Sequence, residues 1–206
     1  MSVTRNEPAT PIRCSWPTND QQYLDYHDNE WGRPTTDPTR LFEKICLEGF
    51  QSGLSWITIL RKRENFREAF AGFDPERIAA FGERDIERLL GDAGIIRHRG
   101  KIEATINNAQ RMIELVDADG SFVDWIWSWA VEAPDRNDEG GIPASTDRST
   151  MLSKELKRRG WKFVGPTTAY AFMQSEGLTN DHDDDCFVHA ECEAERTAFL
   201  AGRTLR

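Results

Sequence analysis

A chain of 206 residues is long enough to bury one sizeable core and short enough to form a single domain, here expected with two lobes. With 38% hydrophobic and 30% charged residues it falls outside the disordered and membrane-spanning classes, and no apolar run approaches the roughly 18 residues of a bilayer span. The N-terminal MSVTRNEPATPIR has no apolar centre, which excludes a secretory signal. Four cysteines without such a signal point to the cytosol, where Cys and His more often hold metal than form disulfides. A net charge of −9 argues only superficially against a nucleic-acid partner, because binding responds to the local field. Basic residues gather at 61–67, 95–102 and 154–162, and acidic ones at 183–185 and 191–195, so one basic face remains available.

Taken in chain order, residues 1–12 read as a flexible extension. TRLFEKICLEGFQSG (39–53) follows the stop-start signal TTDP and sets Leu41, Phe42, Ile45, Cys46 and Phe50 near helical spacing. LSWITILRKRENFREAFAGF (54–73) continues as helix, and DPERIAAFG (74–82) opens with an Asp-Pro cap and first turn. ERDIERLLGDAG, 99–118, 121–131, 151–160 and 166–178 supply further helices, with a loop by composition at 132–147. Strand signals are nearly absent, so the fold class is all-α. One folded domain over 13–192 is expected, followed by a C-terminal tail at 193–206 whose last dozen residues are loosely packed.

Three groups of residues could carry chemistry. The first is a Cys and a His from each end, Cys14 and His27 with His182 and Cys186, which together suggest one closed metal site tying the termini together. His189 and Cys192 follow closely, so a local four-ligand cluster over 182–192 competes with it, while Cys46 in an apolar stripe reads as core. The second is LLGDAGIIRHRGKIEATINNA (89–109), read as a helix ending at Gly94, a turn, and a new helix starting near Arg99–Lys101. Gly94 and Gly100 would supply positive φ, and the second helix's free amides, with Arg97, His98, Arg99 and Lys101, would hold a DNA backbone. An ordinary helical hairpin with a solvated basic face explains the same pattern. The third is LEGFQSGLSW (47–56): Glu48 among apolar residues is a candidate for reading a polar ligand edge, and Trp56 for stacking on a flat one. The plainer alternative makes Glu48 a surface residue and Trp56 core.

CSW (14–16), YHDNEWG (26–32), LFEKICLEGFQSGLSWITIL (41–60), DAGIIRHRGKI (92–102), KFVGPTTAYAFMQSEGLTNDH (162–182) and Cys186 together resemble the 3-methyladenine DNA glycosylase I family over roughly 13–186. The resemblance implies a helix-hairpin-helix glycosylase-like helical fold, with a zinc-stapled second lobe formed by the two termini. It implies a structural zinc on Cys14, His27, His182 and Cys186, which favours the end-to-end set over the local cluster. It further implies that Tyr26 and Glu48 hydrogen-bond a flipped base, that Trp56 stacks on it, that Trp16 and Trp31 wall the pocket, and that Leu54 wedges into the duplex. Phe50 and Ser52 depart from the smaller or more polar residues expected between Glu48 and Leu54.

The implied activity is hydrolytic release of 3-methyladenine from alkylated double-stranded DNA by a cytoplasmic, monofunctional, monomeric repair enzyme needing no protein or membrane partner. Glu48 is then the catalytic carboxylate, because EATINNAQRMIEL after the hairpin offers no Asp before Asp117 to stabilise a sugar cation. Two other classes compete. One is a zinc-stapled module that binds alkylated DNA without cutting it. The other, a zinc hydrolase, is disfavoured because four protein ligands leave no position for water.

Overall fold

A computed structural model describes residues 11–134 and 141–205. The extension at 1–10 and part of the loop expected at 132–147 therefore lie outside the described residues. Among those described there are eleven α-helices, one 3-10 turn and no strand, in agreement with the all-α expectation. In chain order they are α1 (Gln21–Asn29), α2 (Pro38–Gln51), α3 (Trp56–Leu60), α4 (Arg63–Ala69), the turn Ala71–Phe73, α5 (Pro75–Ala79), α6 (Glu83–Gly91), α7 (Arg99–Asp119), α8 (Phe122–Trp127), α9 (Asp147–Arg158), α10 (Pro166–Ser175) and α11 (His189–Leu200).

Helix α2 is the axle of the fold. Asp37 caps it by accepting from the Thr39 and Arg40 amides, with Pro38 in the first turn, as the TTDP signal predicts. Every residue from Leu41 to Phe50 is buried, because α3, α7, α8, α10 and the turn at 71–73 pack around it. A helix enclosed on all sides should be apolar all round. This one nevertheless carries Glu43, Lys44 and Glu48 inside.

The helix expected over 54–73 is broken three ways. Gly53 takes φ +80°, which only glycine adopts without strain, and carries the chain out of α2 at Ser52–Ser55. A non-helical Lys62 separates α3 from α4, and positive φ at Ala71, Gly72 and Phe73 ends the run. Phe50, Phe66 and Phe70 close over this break as an aromatic cluster, so the unexpected Phe50 is core rather than loop. Two other boundaries also fall short: the 121–131 helix stops at Trp127 and the 166–178 helix at Ser175.

The α10 terminus shows why the second of those stops where it does. Gly177 has φ +74°, its amide bonds the Gln174 carbonyl, and the Leu178 amide bonds that of Met173, the pattern of a Schellman cap. A Cβ on Gly177 would lie 2.6 Å from the Gly32 carbonyl oxygen, and the Gly32 amide donates to Ser175 at 3.0 Å. The N-terminal segment is thereby sewn to the end of α10. The tail expected from 193 is also corrected over 193–200: those residues form the last two thirds of α11, with Arg196 only 1% exposed.

Between α6 and α7 lies the turn 92–98, with Leu89, Ile95 and Ile102 buried beneath it. The first helix ends at Gly91, not Gly94, and neither Gly94 nor Gly100 takes positive φ. Gly94 is needed for space instead, since a Cβ there would stand 2.9 Å from Asp92 and 3.1 Å from Asn65.

Candidate active site and metal centre

Three helices each turn an i, i+3 pair toward one point: Tyr23 and Tyr26 from α1, Glu48 and Gln51 from α2, Ala171 and Gln174 from α10. With Trp16, Trp31 and Trp56 they enclose a cavity of about 300 Å³. That is the lower end of the size of small-ligand sites. Trp16 packs edge-on against Trp31 at 5.0 Å and tilted on Tyr23 at 5.1 Å, while Tyr26 and Trp56 sit 5.4 Å apart. All five residues expected in one pocket (Trp16, Tyr26, Trp31, Glu48 and Trp56) therefore meet there. Glu48 is 5% exposed, so the surface-residue alternative fails.

One residue absent from the sequence reading governs this wall from behind. The ammonium of Lys44 pairs with Glu48 at 3.2 Å, donates to the Tyr26 hydroxyl, and sits 3.4 Å from the centre of the Trp56 ring. Burial pushes the Glu48 carboxyl above its ordinary range, with Lys44 pulling it back down. Burial likewise lowers Lys44, against the pull of Glu48, and lifts Tyr26 well above the usual phenol. Glu176, also buried, is pushed up to about 7 by desolvation. Tyr23, Gln51, Gln174, Lys44 and Glu176 all escaped sequence reasoning. The i, i+3 and i, i+4 relations to Tyr26 and Glu48 were the signal for Tyr23, Gln51 and Lys44.

Beside the cavity, Leu54 stands 41% exposed on the Gly53 turn, along a groove of about 290 Å³ that shares Glu48, Gln51 and Ala171 with the pocket. The residues expected to hold DNA at 94–101 divide. Arg97 is exposed, and Arg99 pairs with Glu83 at 2.9 Å and Glu103 at 3.5 Å. His98 caps α7, its ring accepting from the Lys101 amide. Lys101 turns inward, donating to the carbonyls of Phe50 at 2.8 Å and Ser52 at 2.6 Å. Its ammonium therefore holds the end of α2 rather than projecting toward a ligand.

Adjoining the pocket across Trp16 and Trp31, Cys14, His27, His182 and Cys186 are all buried, with ligand atoms within 4.8 Å of one another. Tyr26 and His27 are adjacent, so one helical turn presents a residue to each site. The separations are 3.4 Å from Cys14 Sγ to His182 Nδ1, 3.7 Å from Cys186 Sγ to the same nitrogen, and 3.6 Å from Cys186 Sγ to His27 Nε2. Tetrahedral ligation at zinc distances puts neighbouring ligand atoms about 3.5 Å apart, so the set fits. Each imidazole is also anchored through its other nitrogen: His27 Nδ1 on Asp28 at 2.8 Å, His182 Nε2 on the Trp31 carbonyl at 3.1 Å. Asp28 is itself gripped by Arg13. Without a cation, burial drives the Cys14 thiol up to about 12 and the His182 imidazole down to about 4. Cys192 approaches the outer nitrogen of His182, at 3.5 Å, and His189 bonds the Asp183 carbonyl, so among the described residues the group able to hold a metal draws on both ends of the chain.

A family model described as methyladenine glycosylase matches residues 16–189. The chain is 54% identical to DNA-3-methyladenine glycosylase 1 of Escherichia coli strain K12 over 177 residues, 84% of this chain and 95% of that protein. It is similar to the crystal structure of a 3-methyladenine DNA glycosylase I at a TM-score of 0.81 and 53% identity, covering 86% of this chain and all (100%) of the other. A variant of a 3-methyladenine DNA glycosylase I, solved in complex with 3-methyladenine, matches at a TM-score of 0.79 and 40% identity, over 85% and 96% of the two chains. The aromatic and carboxylate cavity thus stands in a molecule whose sequence and fold agree on one lineage: the chain belongs to the methyladenine glycosylase family.

Proposed function

We propose that this protein is a DNA repair N-glycosylase that takes 3-methyladenine out of the duplex and hydrolyses its bond to the sugar. One observation carries the reading: a buried carboxylate, Glu48, and a phenol, Tyr26, converge with three indoles on a base-sized cavity open to an exposed wedge, Leu54. A base must leave the stack to be cut, and a damaged, poorly paired base costs least to extrude. Leu54 fills the space it vacates. Methylation at the ring nitrogen makes the adenine cationic, which Glu48 favours directly and can recognise by accepting from the exocyclic amine.

The reaction asks little beyond binding. The bond between the sugar carbon and the base nitrogen breaks with its electron pair moving to the base, which departs neutral. Water adds to the sugar carbon and its proton passes to solvent. Glu48 supplies negative charge near the sugar as it becomes cationic, a preorganised electrostatic role. No lysine nucleophile is needed, so the enzyme is monofunctional and leaves the strand intact. Double-stranded alkylated DNA is the partner, held by the α6–α7 hairpin through Arg97, Arg99 and the first backbone amides of α7 near Gly100. A monomer in the cytoplasm suffices for this chemistry.

Zinc fits the four-residue centre and is structural there. Cys14, His27, His182 and Cys186 would fill its coordination, leaving no place for substrate. Incubating methylated DNA with the protein and separating the released bases tests the function. Free 3-methyladenine is expected, whereas bound but intact DNA would favour a binding module. A Glu48→Gln, Tyr26→Phe double variant should lose about 10²–10³-fold in release rate; full activity would overturn the residue assignments.

A further inference from the structure

We propose that Lys44 is a positioning residue of this pocket, tying the Tyr26 hydroxyl, the Glu48 carboxyl and the Trp56 ring into one arrangement from behind and favouring the charged form of Glu48. The inference rests on the base-pocket reading of Tyr26, Glu48 and Trp56 given above. Lys44 does not line the cavity; its ammonium touches three residues that do. An ammonium 7% exposed inside the central helix is costly to desolvate, and apolar side chains of similar volume often pack at least as stably. Its three contacts are all to pocket residues, which gives it a purpose that filling space would not.

The charges around it sharpen the assignment. Glu30 at the end of α1, Arg40 and Glu43 on α2, Arg63 and Arg67 on α4, and Glu176 after α10 face the same small void as Lys44. Arg63 is locked on Glu30 at 2.6 Å, with Arg40 at 3.9 Å from the same carboxylate, and Arg67 on Glu43 at 2.9 Å. Those two carboxylates are taken up by three guanidiniums, the weakest-paired of which, Arg40, also acts on Glu176. Lys44 is left to serve Glu48 and, at longer range, Glu176, whose Oε2 has no hydrogen-bond partner. A cation already lies on one face of Trp56, so the indole's pull on a second cation is weakened. Discrimination for a cationic base therefore falls mainly on Glu48, and Lys44 sets the pH at which Glu48 is charged.

The test follows release of 3-methyladenine from methylated DNA against pH, with kcat and KM separated. Four proteins are compared: wild type, Lys44→Met, the Lys44→Met, Glu176→Gln double variant, and Glu48→Gln. Activity that needs ionised Glu48 is lost as pH falls through its pKa. Removing the neighbouring cation raises that pKa, so in both Lys44 variants the acid limb should move up by about 1–2 pH units. The double variant leaves no uncompensated buried charge at 176, so its shift is read on a folded protein, checked by its melting curve. An unmoved acid limb in both Lys44 variants, with the limb abolished in Glu48→Gln, would overturn the Lys44 assignment alone. A wild-type profile in Glu48→Gln would overturn the pocket reading and this inference with it.

Discussion

Position 176 holds a glutamate 2% exposed, with one carboxylate oxygen unpartnered and a pKa raised to about 7 by burial. Between the unfolded value near 4.5 and about 7, the unfolded chain gives up this proton while the folded one keeps it. Stability from this residue is therefore greatest below the lower value and falls as pH rises toward the upper one, by about 3 kcal/mol in all. Glu176→Gln should accordingly stabilise the protein more at pH 8 than at pH 5, measured by urea unfolding at both. Equal effects at the two pH values would show that the carboxyl ionises freely in the fold. Neither Glu176 nor Lys44 was legible beforehand, because sequence reasoning treats a charge on a helix as solvated. Glu48 was noticed only because apolar residues flank it, whereas Lys44 stands one turn earlier beside Glu43 and reads as part of an exposed face.

At the scale of elements, apolar spacing located the helices, and caps such as Asp37 and Asp74 set their starts. The breaks were hidden. A single apolar periodicity runs through 54–73, and only the backbone at Gly53, Lys62 and 71–73 reveals that it is three pieces. The basic cluster at 97–101 was equally ambiguous, since charge says nothing about direction. Lys101 decides the point for one residue. Because its ammonium caps the carbonyls of Phe50 and Ser52, Lys101→Met should loosen the Ser52–Ser55 turn that carries Leu54. Stability should fall by about 1–3 kcal/mol as those carbonyls lose a charged donor. The salt dependence of DNA binding should stay unchanged, whereas losing a phosphate contact would lower the log–log slope by about 0.9. Titrations at several salt concentrations separate the two, and a reduced slope would return Lys101 to the DNA interface.

The molecule as a whole is closed by its ends, and the separation of Cys14 and His27 from His182 and Cys186 in sequence made that closure readable. What spacing could not show is what the closure holds. The Phe187 amide donates to the Ile12 carbonyl at 2.9 Å, the Asp183 amide to Cys14 Sγ at 3.3 Å, and His182 anchors on the Trp31 carbonyl at 3.1 Å. Trp16, Tyr26 and Trp31, three of the five aromatic rings lining the cavity, hang on that clamp. Metal bound by four buried ligands contributes its binding free energy to folding, and a domain of this size has only about 5–15 kcal/mol in total. If the proposed zinc sits there, Cys14→Ser with Cys186→Ser should lose it and several kcal/mol of stability. Release of 3-methyladenine should fall together with the wall, even though no ligand touches the base. Metal content, melting temperature and base release measured on the same preparation decide the matter. A variant that has lost its metal yet melts and excises as the wild type does would mean that hydrogen bonds and packing alone hold the N-terminal segment in place.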